Sequence, residues 1–288
     1  MTRPQHRLQG GGLTRRALLG TGAAAVLAAG GAALERYLAA PRHRPGPAAK
    51  DVRPVRYNPP PPTTTSSTTT TTTMPSPVPG VPVVPAAPRS APVYSLHDYL
   101  PDAPANAVAL TIDDGPDLPW TPQVLAVLAE YNVLATFSLV GVHVYGHSDL
   151  VRQMVADGHS VCNHSMTHPL PFATLPQDKM DAEISGGLQA IFATTGKVAR
   201  VFRSPGGDSS PGMLASVARM GMTPIDWDVD PRDWSRPGTS YIVSKLLAAA
   251  PGEILLCHDG GGDRSETVTA LKTVIPALQS RGLQFVAL

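Results

Sequence analysis

Short apolar runs alternate with longer amphipathic stretches from Val108 to the end of the chain. The runs have the length and composition of buried strands, whereas the stretches between them repeat their apolar residues every three or four positions, as amphipathic helices do. The predicted strands are residues 108–112, 135–140, 159–163, 199–203, 223–227, 253–257 and 284–287. The predicted helices are residues 121–131, 150–157, 179–195, 211–220, 241–250 and 267–281.

Glycines mark the ends of three of these helices. Gly158, Gly196 and Gly221 each follow a helical pattern directly, where a left-handed residue commonly stops a helix. Strands separated by helices pair in parallel through right-handed crossovers. The pattern therefore predicts an α/β fold, a closed or nearly closed β/α barrel of about seven parallel strands. An open doubly wound sheet is the alternative.

The first 40 residues have the pattern of an export signal. Residues 14–20 contain a twin-arginine pair, Arg15-Arg16, and a weakly apolar Ala/Gly stretch follows. No acidic residue occurs from Met1 to Leu34, which favours export over an amphipathic helix of a cytoplasmic protein. The segment is either a cleaved twin-arginine-type signal peptide or a membrane anchor, although Glu35 and Arg36 make it a poor permanent span.

Residues 41–92 form a predicted disordered linker that is rich in proline and threonine. Four prolines at 59–62 and the threonine-rich tract at 63–73 lack the apolar periodicity that a core requires. In polyproline II form, at about 3.1 Å per residue, such a linker would reach roughly 150 Å. We therefore expect an extracellular or cell-wall location, or a membrane-anchored domain that faces outside.

Residues 93–288 are long enough for one folded domain. The chain has a net charge of +1 and this part has no basic cluster, so we expect no nucleic-acid partner. Cys162 and Cys257 lie in apolar runs, which favours buried free thiols, with a single disulfide as the alternative. The sequence has no sign of oligomerisation, so a monomer is the default expectation.

Five polar motifs follow the predicted strands in a fixed order. At the carboxyl ends of barrel strands, side chains that are distant in sequence converge on one face. The motifs are Thr111-Ile112-Asp113-Asp114-Gly115-Pro116, His164-Ser165-Met166-Thr167-His168, Arg203-Ser204-Pro205-Gly206-Gly207, Asp230-Pro231-Arg232-Asp233-Trp234 and Leu255-Leu256-Cys257-His258-Asp259.

Two histidines and one carboxylate are the ligand set of many catalytic zinc sites. His164 and His168 are four residues apart, and Asp113 and Asp114 are the available carboxylates. Taken separately, the histidines could be capping residues and Asp-Gly-Pro could be an ordinary turn. Since neighbouring side chains at a strand end point in different directions, one aspartate can bind metal while the other acts as a base.

Together the motifs resemble the polysaccharide deacetylases with a NodB homology domain, carbohydrate esterase family 4, over residues 108–288. The resemblance implies a distorted β/α barrel. It also implies roles for nine residues. Asp113 would be the general base, and Asp114, His164 and His168 would bind a divalent metal, most often zinc. Arg203 would orient the base, His258 would be the general acid with Asp233 as its partner, and Gly206 and Leu256 would contact the substrate.

Two positions depart from the family pattern. Ile112 replaces the usual phenylalanine, for which we expect only repacking. Gly206 replaces an aromatic residue; its backbone N–H can still bind the developing oxyanion, but one wall of the sugar site is lost, so we expect a wider or flatter cleft. Trp120, Trp227 and Trp234 are candidate stacking surfaces for sugars, or else core residues.

The predicted function is that of a metal-dependent hydrolase. Its substrate would be the N-acetylglucosamine units of an N-acetylated polysaccharide, peptidoglycan or a chitin-like polymer. An O-acetyl esterase of the acetylxylan type would use the same site but depend less on His258, since an alkoxide leaves more readily than an amine. A catalytically silent glycan-binding protein is the third alternative. The complete set of ligands and acid–base residues argues against it. For Asp233 and Arg203, the alternative role is that of a surface ion pair.

Overall fold

The structure, a computed structural model, describes residues 78–288. Seven strands alternate with helices in this part of the chain. The strands are β1 Ala107–Asp113, β2 Thr136–Leu139, β3 Ser160–Asn163, β4 Val201–Phe202, β5 Thr223–Pro224, β6 Ile254–His258 and β7 Gln284–Val286. The helices are α1 Leu96–Tyr99, α2 Trp120–Glu130, α3 Gly141–Gly146, α4 Ser148–Ala156, α5 Gln177–Thr195, α6 Pro211–Arg219, α7 Thr239–Leu246 and α8 Ser265–Ser280.

All the strands pair in parallel, which confirms the predicted α/β class. The order in the sheet is β5-β4-β3-β2-β1-β6, and β7 pairs with the first residues of β1. The central strand β1 therefore has three partners, and its last residue, Asp113, stands in register with Ser138 of β2 and His258 of β6. The three glycines predicted to end helices, Gly158, Gly196 and Gly221, all have positive φ.

Single bridges link the two outer strands of this sheet. Val93 pairs with Ile225, which directly follows β5, and Ser95 pairs with Glu253, which directly precedes β6. Val229 pairs with Leu255 of β6 itself. The sheet is thus a parallel half-barrel whose edges are joined by irregular backbone, an arrangement that agrees with the predicted distorted barrel.

The two faces of β1 have different chemistry. Val108, Leu110 and Ile112 are fully buried and pack in the main hydrophobic core, where Ile112 fits as expected. The alternate residues Thr111 and Asp113 are also buried, but they take part in polar contacts inside the sheet. The period of two along the strand therefore separates an apolar core on one face from a polar interior that ends at the active-site edge.

The two cysteines are buried and free. Cys162 packs with Val93, Val201 and Ile225, whereas Cys257 belongs to the main core. Burial raises the pKa of the Cys162 thiol to about 12 and that of Cys257 well above its usual value, so both stay protonated. The free-thiol prediction is confirmed and the disulfide alternative is wrong.

Residues of the predicted linker pack against the domain. Val78 and Val81 are almost completely buried against the main core, and the Ala86 N–H donates to the Ala218 carbonyl at 2.8 Å. The predicted export signal at 1–40 and the linker up to residue 77 lie outside the described residues. Between residues 78 and 288, no helix is both long and apolar enough to cross a membrane.

Candidate metal centre and active site

The motif residues meet at the carboxyl edge of the sheet, as predicted. Asp113 ends β1 and His258 ends β6, so their backbones are direct neighbours. His164 follows β3, Arg203 follows β4, and Asp233 opens a short 3₁₀ turn, Asp233–Ser235, before α7. Positions that are far apart in sequence therefore form one cluster, because parallel strands deliver their following loops to the same edge.

Asp114, His164 and His168 form a group that fits one metal ion. One ligand atom from each lies within 4.8 Å of the others. Asp114 Oδ1 is 3.4 Å from His164 Nε2 and 3.2 Å from His168 Nε2. Ligands about 2.1 Å from a tetrahedral zinc ion would stand about 3.4 Å apart, so the observed spacing suits such an ion.

Hydrogen bonding and charge prepare these three groups to bind a cation. His164 donates from Nδ1 to the Arg203 carbonyl at 2.8 Å, which leaves its Nε2 lone pair for the metal. Burial lowers the pKa of His168, and the nearby charge of His164 lowers it further, so His168 is neutral. Burial alone would raise the pKa of Asp114, but the hydrogen bond and the charge of His164 hold it well below its usual range.

The backbone around the ligands is held in unusual conformations. Asp114, Ser165 and His168 have φ values of 75°, 65° and 58°, in the left-handed region that non-glycine residues rarely adopt. The His168 N–H donates to Ser165 Oγ at 3.0 Å, and Glu183 of α5 accepts from two further N–H groups of the same loop. Such strain persists where surrounding contacts enforce it, and it concentrates at functional sites.

Arg203 holds the second aspartate. Its guanidinium is completely buried and donates from Nη1 to Asp113 Oδ1 at 2.8 Å and to Thr111 Oγ1 at 2.7 Å. Its Nη2 donates to the Asp226 carbonyl at 2.8 Å. The other oxygen, Asp113 Oδ2, lies 3.8 Å from His164 Nε2 and thus beside the metal group. One oxygen of Asp113 is fixed and the other faces the reaction site.

Asp233 and His258 form a buried pair. Asp233 Oδ1 accepts from His258 Nδ1 at 2.7 Å, while its Oδ2 accepts from the His258 N–H at 2.9 Å and from Thr267 Oγ1 at 2.7 Å. Burial lowers the pKa of His258, but the hydrogen bond and charge of Asp233 outweigh it and raise the pKa to about 9. His258 is therefore an imidazolium at neutral pH. Because Arg203 and Asp233 are both buried, the alternative of a surface ion pair is wrong.

The loops that follow β1 and β6 are in very close contact. A Cβ atom at Gly115 would lie 2.2 Å from Asp259 Oδ1, and one at Gly260 would lie 2.2 Å from the Asp114 carbonyl oxygen. Asp259 is fully buried and its Oδ2 accepts from Thr121 Oγ1 at 2.6 Å; burial raises its pKa to about 7. Asp259 has no predicted role from the sequence, although its place directly after His258 is a signal for one.

The predicted substrate contacts differ in exposure. Trp234 is 47% exposed beside the acid pair, and Gly206 is exposed with a φ of 73°, whereas Leu256 is only 2% exposed in β6. Trp120 and Trp227 are partly buried and pack against hydrophobic clusters. Of the three tryptophans, Trp234 alone presents a large exposed surface to a ligand in the described part of the chain.

The comparisons with known proteins agree with this geometry. Residues 101–225 match the family model described as polysaccharide deacetylase. A chitooligosaccharide deacetylase from Bradyrhizobium sp. (strain ANU 289) is 43% identical over 191 residues, which cover 62% of this chain and 87% of that protein. The chain belongs to the polysaccharide deacetylase family. A peptidoglycan-N-acetylglucosamine deacetylase from Bacillus cereus is 38% identical over 182 residues, or 62% of this chain and 84% of that protein.

The fold is shared with a family member of a different kind. The solved structure of wild-type BA3943, a CE4 family pseudoenzyme from Bacillus anthracis, matches with a TM-score of 0.62 and 30% identity over 68% of this chain and 67% of that chain. Membership of the family is therefore separate from activity, which depends on the site residues. In this chain the metal group, the Asp113–Arg203 pair and the Asp233–His258 pair are all assembled.

Proposed function

We propose that this protein is a metal-dependent N-deacetylase that removes acetyl groups from N-acetylglucosamine units of a cell-wall or extracellular glycan, peptidoglycan or a chitin-like polymer. The observation that carries the proposal is the presence of two differently poised acid–base groups beside one metal group. Asp113 has a carboxylate oxygen that Arg203 does not bind, and His258 has a pKa raised to about 9. The first can accept the proton of an attacking water, and the second can donate a proton to the leaving group.

A divalent ion bound by Asp114, His164 and His168 would polarise the acetamide carbonyl and acidify the attacking water. Asp113, held through Oδ1 by Arg203, takes the proton of that water on Oδ2. The exposed Gly206 N–H donates to the carbonyl oxygen as negative charge develops there. His258 then donates its proton to the departing amine, and Asp233 stabilises the imidazolium until that transfer.

The raised pKa of His258 favours an amide over an ester substrate. An amine must be protonated before it can leave, so an acid that is protonated at neutral pH serves amide cleavage. An acetylxylan-type ester needs such an acid far less. The relatives described above are named as deacetylases of N-acetylglucosamine polymers, which supports the same choice.

We further propose zinc as the metal and the cell exterior as the location. Two imidazoles and a carboxylate suit zinc among the common divalent ions. The twin-arginine sequence and the Pro/Thr-rich segment up to residue 77 support export and a tether long enough to act at the cell wall.

Acetate release from defined substrates tests this function. Purified full-length protein with one equivalent of zinc is expected to release acetate from N-acetylglucosamine oligomers and peptidoglycan, and to lose that activity with a chelator and regain it with zinc. Asp113→Asn should abolish release and keep the zinc, while Asp149→Asn, which changes an exposed aspartate, serves as the matched control. Release from acetylated xylan alone would identify an esterase, and zinc binding without any release would identify a silent binding protein.

A further inference from the structure

Leu170 is an exposed leucine beside the metal group. It lies two residues after the ligand His168, and 65% of its surface is exposed. Its Cδ2 atom is 3.0 Å from the position that a Cβ atom would occupy at Gly206. The leucine thus covers the space that a side chain at position 206 would enter, next to the backbone N–H proposed to bind the oxyanion.

Two contacts fix the loop that carries Leu170. Phe172 is fully buried in the main core, with its ring centroid 5.7 Å from that of Phe202. Asp208 then joins this loop to the one that follows Arg203, because its Oδ2 accepts from the Ala173 N–H at 3.0 Å and its Oδ1 accepts from Ser204 Oγ at 3.1 Å. These contacts hold the backbone that follows Leu170 against the loop that contains Gly206.

The neighbouring glycine, Gly207, is in close contact with a different side chain, that of Trp227. A Cβ atom at Gly207 would lie 2.5 Å from Cη2 of Trp227, whose ring is partly buried and packs against the core. Trp227 therefore supports the loop from behind, whereas Leu170 remains exposed on the side of Gly206. An exposed leucine alone needs no explanation, but one that lies against the loop with the proposed oxyanion donor is positioned to contact a ligand.

We propose that Leu170 is a specificity-determining residue that forms an apolar wall of the glycan site, against the C–H face of the sugar whose acetamide reaches the metal group. The inference rests on the proposed deacetylase function. The sequence alone, with Gly206 in place of an aromatic residue, predicts that one wall of the sugar site is missing. In this proposal Leu170, from the neighbouring loop, forms that wall instead.

A double-mutant cycle tests the wall. With zinc-loaded full-length protein and an N-acetylglucosamine oligomer, Leu170→Ala is expected to raise KM about tenfold, with a much smaller change in kcat. Gly206→Phe in the parent should reduce kcat/KM strongly, because its side chain meets Leu170. In the Leu170→Ala background, Gly206→Phe should reduce kcat/KM less, since the phenylalanine then forms a wall of the site from the other loop. Strain from the positive φ at position 206 affects both backgrounds equally and cancels.

Leu134→Ala is the matched control, because Leu134 is 42% exposed and precedes β2 at the opposite edge of the sheet. This control should leave KM unchanged. Every variant should keep one zinc, and Leu170→Ala and Leu134→Ala should also keep the parent melting temperature. An unchanged KM for Leu170→Ala, or an equal loss from Gly206→Phe in both backgrounds, overturns the inference. Calorimetric binding of the same oligomer distinguishes failure of this inference from failure of the proposed deacetylase function. If the parent binds the oligomer with a Kd that depends on Leu170 but releases no acetate, the deacetylase function is overturned and the role of Leu170 in binding stands.

Discussion

At the scale of single residues, the site depends on how each carboxylate is held. Asp113 and Asp114 are adjacent in sequence, yet Arg203 fixes the first and the two histidines surround the second. Asp233 differs from both, because its two carboxylate oxygens accept hydrogen bonds from His258 and Thr267. In the proposed mechanism, the same type of side chain therefore serves as a base, as a metal ligand and as the partner of an acid.

Asp233→Asn is expected to weaken the acid without removing the metal. The substitution removes the negative charge that keeps the pKa of His258 high, so the alkaline limb of the kcat–pH profile should move to lower pH and kcat at pH 8 should fall at least about tenfold. Steady-state rates from pH 6 to 10 and the zinc content measure both effects. Loss of zinc in this variant would contradict the role proposed for Asp233.

The same pair makes the stability of the metal-free protein depend on pH. The folded-state pKa of His258, about 9, lies above the usual 6.5, so its contribution is complete below about pH 6.5 and is lost as the pH rises through 9. The difference corresponds to about 3 kcal/mol in the free energy of unfolding. Urea unfolding of chelated protein should show this loss between pH 6.5 and 9, and Asp233→Asn should reduce it. An identical pH dependence in both proteins would rule the pair out as its source.

The sequence located the chemical groups but not the contacts that hold them. Asp113, Asp114, His164, Arg203 and His258 were identifiable because their motifs follow apolar strands. Buried supporting residues carry no such signal. Thr121 and Thr267 lie within helical patterns, and their hydrogen bonds to Asp259 and Asp233 cross more than 30 positions of sequence. Such pairings depend on tertiary packing, which periodicity does not record.

At the scale of elements, the catalytic edge is built from close contacts between loops. Gly260 has no positive φ, so an alanine there would be acceptable to the backbone. Its Cβ atom would nevertheless lie 2.2 Å from the carbonyl oxygen of Asp114. The contact is between backbone atoms, which cannot move aside as a flexible side chain can. The loop after β6 therefore determines where the loop after β1 presents its metal ligand.

Gly260→Ala is expected to displace Asp114 and reduce zinc affinity about 10- to 100-fold, as the loss of a supporting contact to a metal ligand commonly does. Competition with a chromogenic chelator measures the affinity. Gly146→Ala is the matched control, because a Cβ atom at Gly146 meets no atom within 4 Å. Equal zinc affinity in the two variants would show that the contact does not position Asp114.

Long elements were predicted better than short ones. The strands β1, β2, β3 and β6 agree with the predicted runs to within one or two residues at each end. By contrast, β4 and β5 have two paired residues each, although both predicted runs have five. An apolar run indicates that its residues are buried, not that they form strand hydrogen bonds. Residues next to β4 and β5 are buried but do not continue the strand pairing. The short helices α1 and α3 were missed, because one turn is too short to show a helical period.

At the scale of the whole molecule, the packed domain extends further towards the N-terminus than the composition predicted. Val78 and Val81 lie in a proline-rich sequence and have too few apolar residues near them to form the periodic pattern of a helix or strand. Both are nonetheless buried against the main core. A fragment that begins at Val93, where the domain was predicted to begin, would expose the surface that they cover.

Val81→Ala is expected to lower the free energy of unfolding by about 1–2 kcal/mol, through the loss of two buried methyl groups. Val84→Ala should change it by less than about 0.5 kcal/mol, since Val84 is 71% exposed. Urea unfolding of the two variants, compared with the parent, measures the difference. Equal effects would mean that this segment adds nothing to the stability of the domain.

The three partners of β1 have a consequence for the order in which the molecule can form. Thr111 and Leu255 bond across 144 positions, and β7 comes only at the end of the chain. While the ribosome is still making the second half, β1 lacks two of its neighbours and exposes an unpaired apolar edge. Assembly of Asp113 beside His258 must therefore wait until β6 has been synthesised, and until then the unpaired edge of β1 is open to pairing with other chains.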